Sequence, residues 1–222
     1  MGFIVFIVFI LFYLDYQKYE NSLYKHEVNL PYQLVRFNKG AYGEYLIFSE
    51  LEGIKGYSKI KGNLYIPKGS GTTEIDTVFI HETGIYVIES KNFSGWIFGS
   101  ENQRNWTQTF PNGKKYRFYN PIWQNNTHIT HLKKLLSDVD PKSFKSIIVF
   151  GRKSTLKKIN KKSNDVFITH SYQLMRTMKA TIKESSTRLS PNEIDGIYNE
   201  LKKYTNASDF IKNQHIGNIK GD

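Results

Sequence analysis

The chain reads as a mixed α/β protein, and three observations carry that reading. Runs with apolar residues every three or four positions are interspersed with period-two runs bounded by Gly, Pro and Asn. The 222 residues are 39% hydrophobic and 15% aromatic, enough to bury a core of ordinary size. Cysteine is absent, which excludes a disulfide framework, a thiol nucleophile and any Cys-held zinc or iron–sulfur centre. The net charge of +11, from 31 Lys and Arg against 20 Asp and Glu, favours encounter with a polyanion, either nucleic acid or an acidic membrane surface.

The elements follow in order. Residues 2–14, GFIVFIVFILFYL, carry no charge and no polar face. As a helix they span ~20 Å, against a hydrocarbon core of ~30 Å. Tyr13 and Tyr16 suit a membrane interface, and Lys18 and Lys25 place positive charge beyond it. Residues 1–14 are therefore predicted to form a single-pass anchor helix in the cell membrane, with the main domain facing the cytoplasm. A buried core helix or strand is the alternative, and a secretory signal fits worse because no basic region precedes the run. Residues 15–38 are polar and Tyr-rich and read as a juxtamembrane linker with at most one helical stretch. Residues 41–51 predict a helix with Ile47, Phe48 and Leu51 on one stripe. Glu44, one turn earlier, faces the same side, so it is paired, a ligand, or at the rim of the stripe.

Strand signals come next. Residues 63–66 form a short run, and 74–81 and 85–91 are β-branched and aromatic runs separated by Glu82-Thr83-Gly84, which predicts a hairpin. A further hairpin-like stretch runs from Gly95 through Gly99 to Trp106-Thr107-Gln108, with a turn at Pro111-Asn112-Gly113. A helix is predicted from Asn120-Pro121 to 137, with Ile122, Ile129, Leu132 and Leu136 as its stripe. Two strands, 145–150 and 165–169, and two helices, 172–183 and 191–204, complete the ordered chain, with 206–222 a polar, fraying tail.

A two-residue loop at Glu82-Thr83 places Asp76 directly across from Glu89, with side chains ~5 Å apart on one face. Lys91 shares that face because strand side chains alternate. Val78, Ile80, Ile85 and Val87 continue it, so the charges interrupt a core-side stripe rather than a solvated rim. Opposed carboxylates repel. Lys91 offsets part of that repulsion, and a hard divalent cation, magnesium or manganese, suits the rest. A cation and a lysine so placed fit hydrolysis of a phosphodiester. An ordinary salt-bridged rim is the plain alternative, since E-x-K spacing is common by chance.

Six pieces in order, Gly43-Glu44, Glu74-Ile75-Asp76, Ile88-Glu89-Ser90-Lys91, Gly95-Trp96-Ile97, Trp106-Thr107-Gln108 and Asn120-Pro121-x-x-Gln124-Asn125, resemble the nuclease-related domain family. That family is a branch of the PD-(D/E)xK nuclease superfamily. The resemblance covers about residues 39–150, with 151–205 supplying a strand and helices that complete the domain. It implies a restriction-endonuclease-like α/β fold, a mixed central sheet flanked by helices. It also implies Asp76 and Glu89 as metal-binding carboxylates and Glu44 as the helix carboxylate completing the ligand shell. Lys91 would orient the attacking water, and Gln124 would lie beside the scissile phosphate.

Other features carry weaker signals. Gln124, His128 and His131 share a helix face, and such histidines more often sit beside a site than ligate a metal. Residues 142–162 hold Lys142, Lys145, Arg152, Lys153, Lys157, Lys158, Lys161 and Lys162 and no acid. The run reads as a solvated loop, and also as a surface contacting the nucleic-acid backbone. Trp96, Trp106 and Trp123 are expected to pack rather than stack on bases. Gly151-Arg152-Lys153-Ser154 lacks Walker spacing, and without a Gly-rich fingerprint no nucleotide cofactor is expected. The expectation is a membrane-tethered, metal-dependent nuclease acting on DNA rather than RNA. A nucleic-acid-binding or anionic-membrane-binding module without catalysis is the alternative.

Overall fold

Turn chemistry and apolar patterning build the sheet that carries the site. In the computed structural model, which describes residues 2–69 and 71–205, four helices lead: α1 (Gly2–Glu20), α2 (Leu23–Val28), α3 (Tyr32–Phe37) and α4 (Lys39–Glu52). Strands β1 (Ser58–Lys68), β2 (Gly71–His81) and β3 (Gly84–Lys91) follow as an antiparallel meander. The β2–β3 loop is Glu82-Thr83, and Thr77 opposes Ile88 and His81 opposes Gly84, the register that a two-residue loop imposes. Gly84 has φ 138°, and a Cβ there would lie 2.6 Å from the Ser143 carbonyl oxygen, so only glycine fits the turn.

Strands β4 (Gly95–Ser100), β5 (Asn105–Thr109) and β6 (Lys115–Tyr119) precede α5 (Pro121–Leu135), and β7 (Phe144–Phe150), β8 (Ser154–Asn160), β9 (Val166–His170), α6 (Leu174–Glu184) and α7 (Pro191–Lys202) finish the chain. The first sheet has the order β1-β2-β3-β7-β9, with β3, β7 and β9 parallel. Helices α2, α3, α4 and α6 cover one face through Tyr24, Val35, Phe48 and Met178. Helices α5 and α7 cover the other through Leu132 and Ile197 against Val78 and Val87. The predicted mixed sheet flanked by helices is thus present. A second mixed sheet, β6-β5-β4-β8, packs on its β7–β9 side through Ile97 and Trp106. Trp106 stacks on Phe150 at 6.1 Å and is buried, a packing residue as expected.

The expected anchor needs correction. Residues 2–14 do begin a helix, but among the described residues no helix is long and apolar enough to cross a membrane. The uncharged run stops at Asp15, and the helix beyond it belongs to the protein. Tyr19 is buried, and Asp15 accepts a hydrogen bond from the Tyr32 hydroxyl at 2.6 Å and lies 3.6 Å from Arg36. Residues 15–38 are likewise not a free linker. They form the end of α1 plus α2 and α3, whose Tyr24, Tyr32 and Val35 are buried in the α4 side of the core. Lys61 ties α2 to the sheet: its ammonium lies 2.6 Å from Glu27, whose other oxygen accepts from Tyr198 of α7 at 2.7 Å.

The basic run is also more structured than a loop, because its middle forms β8, pairing parallel to β4. Lysines on a sheet edge keep it from pairing further. The tail expected over 206–222 lies outside the described residues.

Candidate active site

Strand β3 ends with Glu89-Ser90-Lys91, and alternation points Glu89 and Lys91 toward α5. Lys91 Nζ donates to Glu89 Oε1 at 2.6 Å and to Gln124 Oε1 at 3.0 Å. Glu89 Oε2 lies 3.1 Å from His128 Nε2, and since a carboxylate only accepts, that nitrogen carries the proton. His128 Nδ1 in turn lies 2.9 Å from the Thr73 hydroxyl on β2. Glu89 is 1% exposed, so each of these partners counts.

Helix α5 is set by the same motif that supplies Gln124. Asn120 caps it, accepting from the Ile122 amide at 2.9 Å while its own amide donates to the carbonyls of Ser100, Glu101 and Gln103. Asn125 bolts the helix to the sheet, donating to the Val87 carbonyl at 2.8 Å and to Ser146 at 2.9 Å. Gln124, between these two anchors, meets Lys91.

The remaining carboxylates approach the same region. Asp76 lies one residue beyond the last β2 position paired with β3, and its Oδ2 accepts the Ser90 amide at 2.8 Å. Its Oδ1 accepts no hydrogen bond among the described residues. Glu44 on α4 accepts from the Tyr24 hydroxyl at 3.1 Å. Tyr24 comes from the segment expected to be a linker.

Electrostatics divide these groups. Burial raises the Asp76 carboxyl well above its usual value, and the charges of Glu89 and Glu44 add to it, only partly opposed by Lys91 and the Ser90 amide. Glu44 is raised to about 7, chiefly by burial, against the Tyr24 hydrogen bond and with repulsion from Glu74 and Glu89. Burial pushes Glu89 the same way, but the Lys91 charge and the His128 hydrogen bond outweigh it, leaving Glu89 below its usual value. Lys91 is disfavoured as a cation by burial, yet Glu89 and Asp76 hold its pKa above the ordinary lysine value. Two carboxyls that resist ionisation beside one that does not define an acidic site short of positive charge.

The donor chemistry of Asp76 and Glu89, all oxygen, fits magnesium or manganese. Among the described residues no three His, Asp or Glu side chains are gathered closely enough to hold a metal by themselves. That is compatible with magnesium, which is commonly held by one or two carboxylates plus water and substrate phosphate.

The predicted residues are not all brought together. Asp76, Glu89, Lys91, Gln124 and Glu44 share this end of the sheet. Arg152 and Lys153 follow β7 at that same end, where Phe150 opposes Lys91. Lys142 and Lys145 lie at the opposite end of β7, ~20 Å away at 3.3 Å per residue. Lys157 and Lys158 are exposed on β8, and Lys161 and Lys162 lie just past it, where Glu101 accepts the Lys162 amide at 2.6 Å. The eight cations are therefore not one surface. Thr73 and Tyr24 gave no sequence signal. His128 did, through its place one turn after Gln124.

Comparison with known proteins identifies a family. A family model described as a nuclease-related domain matches residues 39–151. An uncharacterized protein of Bacillus anthracis is 31% identical over 181 residues, spanning 80% of this chain and 82% of its own length. A crystal structure of a protein of unknown function aligns at TM-score 0.31 and 13% identity, over 75% of this chain and 97% of that one, a likeness too slight to support an argument.

Proposed function

The chain belongs to the nuclease-related domain family, and from that premise we propose that it hydrolyses phosphodiester bonds in nucleic acid, DNA in preference to RNA, with magnesium or manganese. The observation that carries the reading is the Lys91 ammonium, fixed between Glu89 at 2.6 Å and Gln124 at 3.0 Å beside Asp76.

An ammonium has three protons. Glu89 and Gln124 take two, and the third remains for an attacking water or an oxygen of the scissile phosphate. With its pKa held high, Lys91 acts as a charged donor and not as a base. It lowers the barrier by stabilising charge that grows on the phosphate. Asp76 and Glu89 would hold the cation, which supplies Lewis-acid polarisation of the phosphate oxygens. Glu44, with a pKa of about 7, is placed to exchange a proton near neutrality. His128 and Thr73 hold the Glu89 carboxylate in orientation.

For the location, the support lies in α1. Residues Ile4 to Leu14 are each 40% to 69% exposed, with no polar face. That exposed apolar surface supports partial insertion into a bilayer, with the domain proposed to face the cytoplasm. Cosedimentation with vesicles, lost on deleting residues 2–14, checks it. The activity is tested by incubating the full chain with labelled single-stranded, duplex and branched DNA and with RNA, in magnesium, manganese or EDTA, beside Lys91→Ala. Cleavage that requires both the cation and Lys91 is expected. Wild type and variant behaving alike under every condition would refute the proposal.

A further inference from the structure

A cleft of about 500 Å³ opens between α4 and the C-terminal ends of β3 and β7. That is the volume range of sites for small organic ligands, and the ends of parallel strands are where α/β proteins place them. Ser90 lines the cleft. It lies between Glu89 and Lys91 in the chain and gives its amide to Asp76, so the cleft is one residue from the candidate active site, on the other face of β3.

The lining has a definite chemical character. Arg36, Lys39, Arg152 and Lys153 contribute to it, and no Asp or Glu does. Arg36 is shared with Asp15 at 3.6 Å, whereas no salt bridge among the described residues takes up Lys39, Arg152 or Lys153. Aromatic faces accompany the cations. Phe37, 82% exposed, stands at the edge, and Arg36 lies 5.5 Å from the centre of the Tyr42 ring. The walls are held in place by Asn92, whose amide donates to the Lys39 carbonyl and joins the start of α4 to the end of β3. Gly151 makes room for it, since a Cβ there would fall 2.3 Å from Asn92 Oδ1.

Cations without acids suit a phosphate backbone, and interleaved aromatics suit bases freed from a stack. We propose that this cleft binds an unpaired nucleotide of a single-stranded nucleic acid, holding its phosphate on Lys39, Arg152 and Lys153 and its base against Phe37. A paired base has both faces and its hydrogen-bonding edge occupied and does not enter. The inference deepens the proposed function by naming the substrate class, and it rests on that reading for its biological use. Its binding claim stands separately.

The test is fluorescence anisotropy of the full chain with labelled oligo-dT, the matching duplex and a mononucleotide competitor, all in EDTA so that nothing is cleaved. Phe37→Ala removes an exposed ring and leaves the core untouched. It is expected to weaken single-strand binding at least about fivefold. Lys153→Ala is expected to lower the slope of log affinity against log salt by about 0.7. Tighter binding to the duplex, or no effect of Phe37→Ala, overturns the proposal. So does a mononucleotide that competes as well as an equal concentration of oligo-dT, which would assign the cleft to a free nucleotide. A Phe37→Ala variant that loses only adhesion to anionic vesicles overturns it too. Phe37-dependent binding without any cleavage in magnesium or manganese would defeat the nuclease reading and leave this one intact.

Discussion

Glu44 provides a quantitative test of the acidic site, because the fold holds its carboxyl at about 7 against 4.5 in a free side chain. The folded state thus binds this proton more tightly than the unfolded chain does. By linkage, the stability associated with it is full below pH ~4.5 and is lost as pH rises to about 7. The difference between 4.5 and about 7 is equivalent to about 3 kcal/mol. Glu44→Gln keeps the volume and an oxygen for the Tyr24 hydroxyl but cannot ionise. In a chain of this size that energy corresponds to a melting difference of about 6–12 °C. Thermal melts from pH 4.5 to 8 in EDTA should show the variant gaining on wild type across that window, then a constant gap. A gap independent of pH, or one that grows toward acid, would refute this account of the site.

Other perturbations read other parts of the structure. Removing the His128 hydrogen bond raises the Glu89 pKa, so His128→Ala should move the acidic limb of a cleavage pH profile upward, whereas an unmoved limb would deny the contact a role. Lys61→Ala leaves the largely covered Glu27 carboxylate with only its Tyr198 hydrogen bond and should cost about 2–4 kcal/mol in urea denaturation. A loss under 1 kcal/mol would mean that α2 is not held through this pair. Gly99→Ala would place a Cβ 2.1 Å from the Trp106 ring. It should cost about 1–3 kcal/mol and shift tryptophan emission to the red, and a wild-type melt and spectrum would contradict the packing described.

The local devices were legible in the sequence where chemistry is short-range. The two-residue Glu82-Thr83 loop set the β2–β3 register and Asn120-Pro121 announced α5, while α7, expected from residue 191, opens on a capping box of Ser190 and Glu193. The hairpin and helix positions then carried Asp76, Glu89, Lys91 and Gln124 to one end of the sheet. What stayed hidden depends on distant partners. Helices α2 and α3 have six residues each, too few to be stable alone, and exist because Tyr24 packs on Tyr45 and Phe48 of α4 and Tyr32 on Tyr16 and Tyr19 of α1. Strand β8 looked like a lysine-rich loop because its pairing is with β4, about 60 residues earlier in the chain. The Thr73 and Tyr24 contacts were invisible for the same reason: each meets the site across tertiary packing, without a local pattern. The apolar N-terminus resembled a span by composition, but its helix continues into a folded layer that composition does not reveal.

The central claim is that the Lys91 ammonium, held by Glu89 and Gln124, stabilises phosphodiester cleavage. Single-turnover cleavage by Lys91→Gln, at saturating enzyme in magnesium, tests it most directly, with substrate affinity and melting temperature measured on the same preparation. The predicted result is a rate at least about 100-fold below wild type with affinity nearly unchanged. A folded variant that cleaves at the wild-type rate would contradict the account.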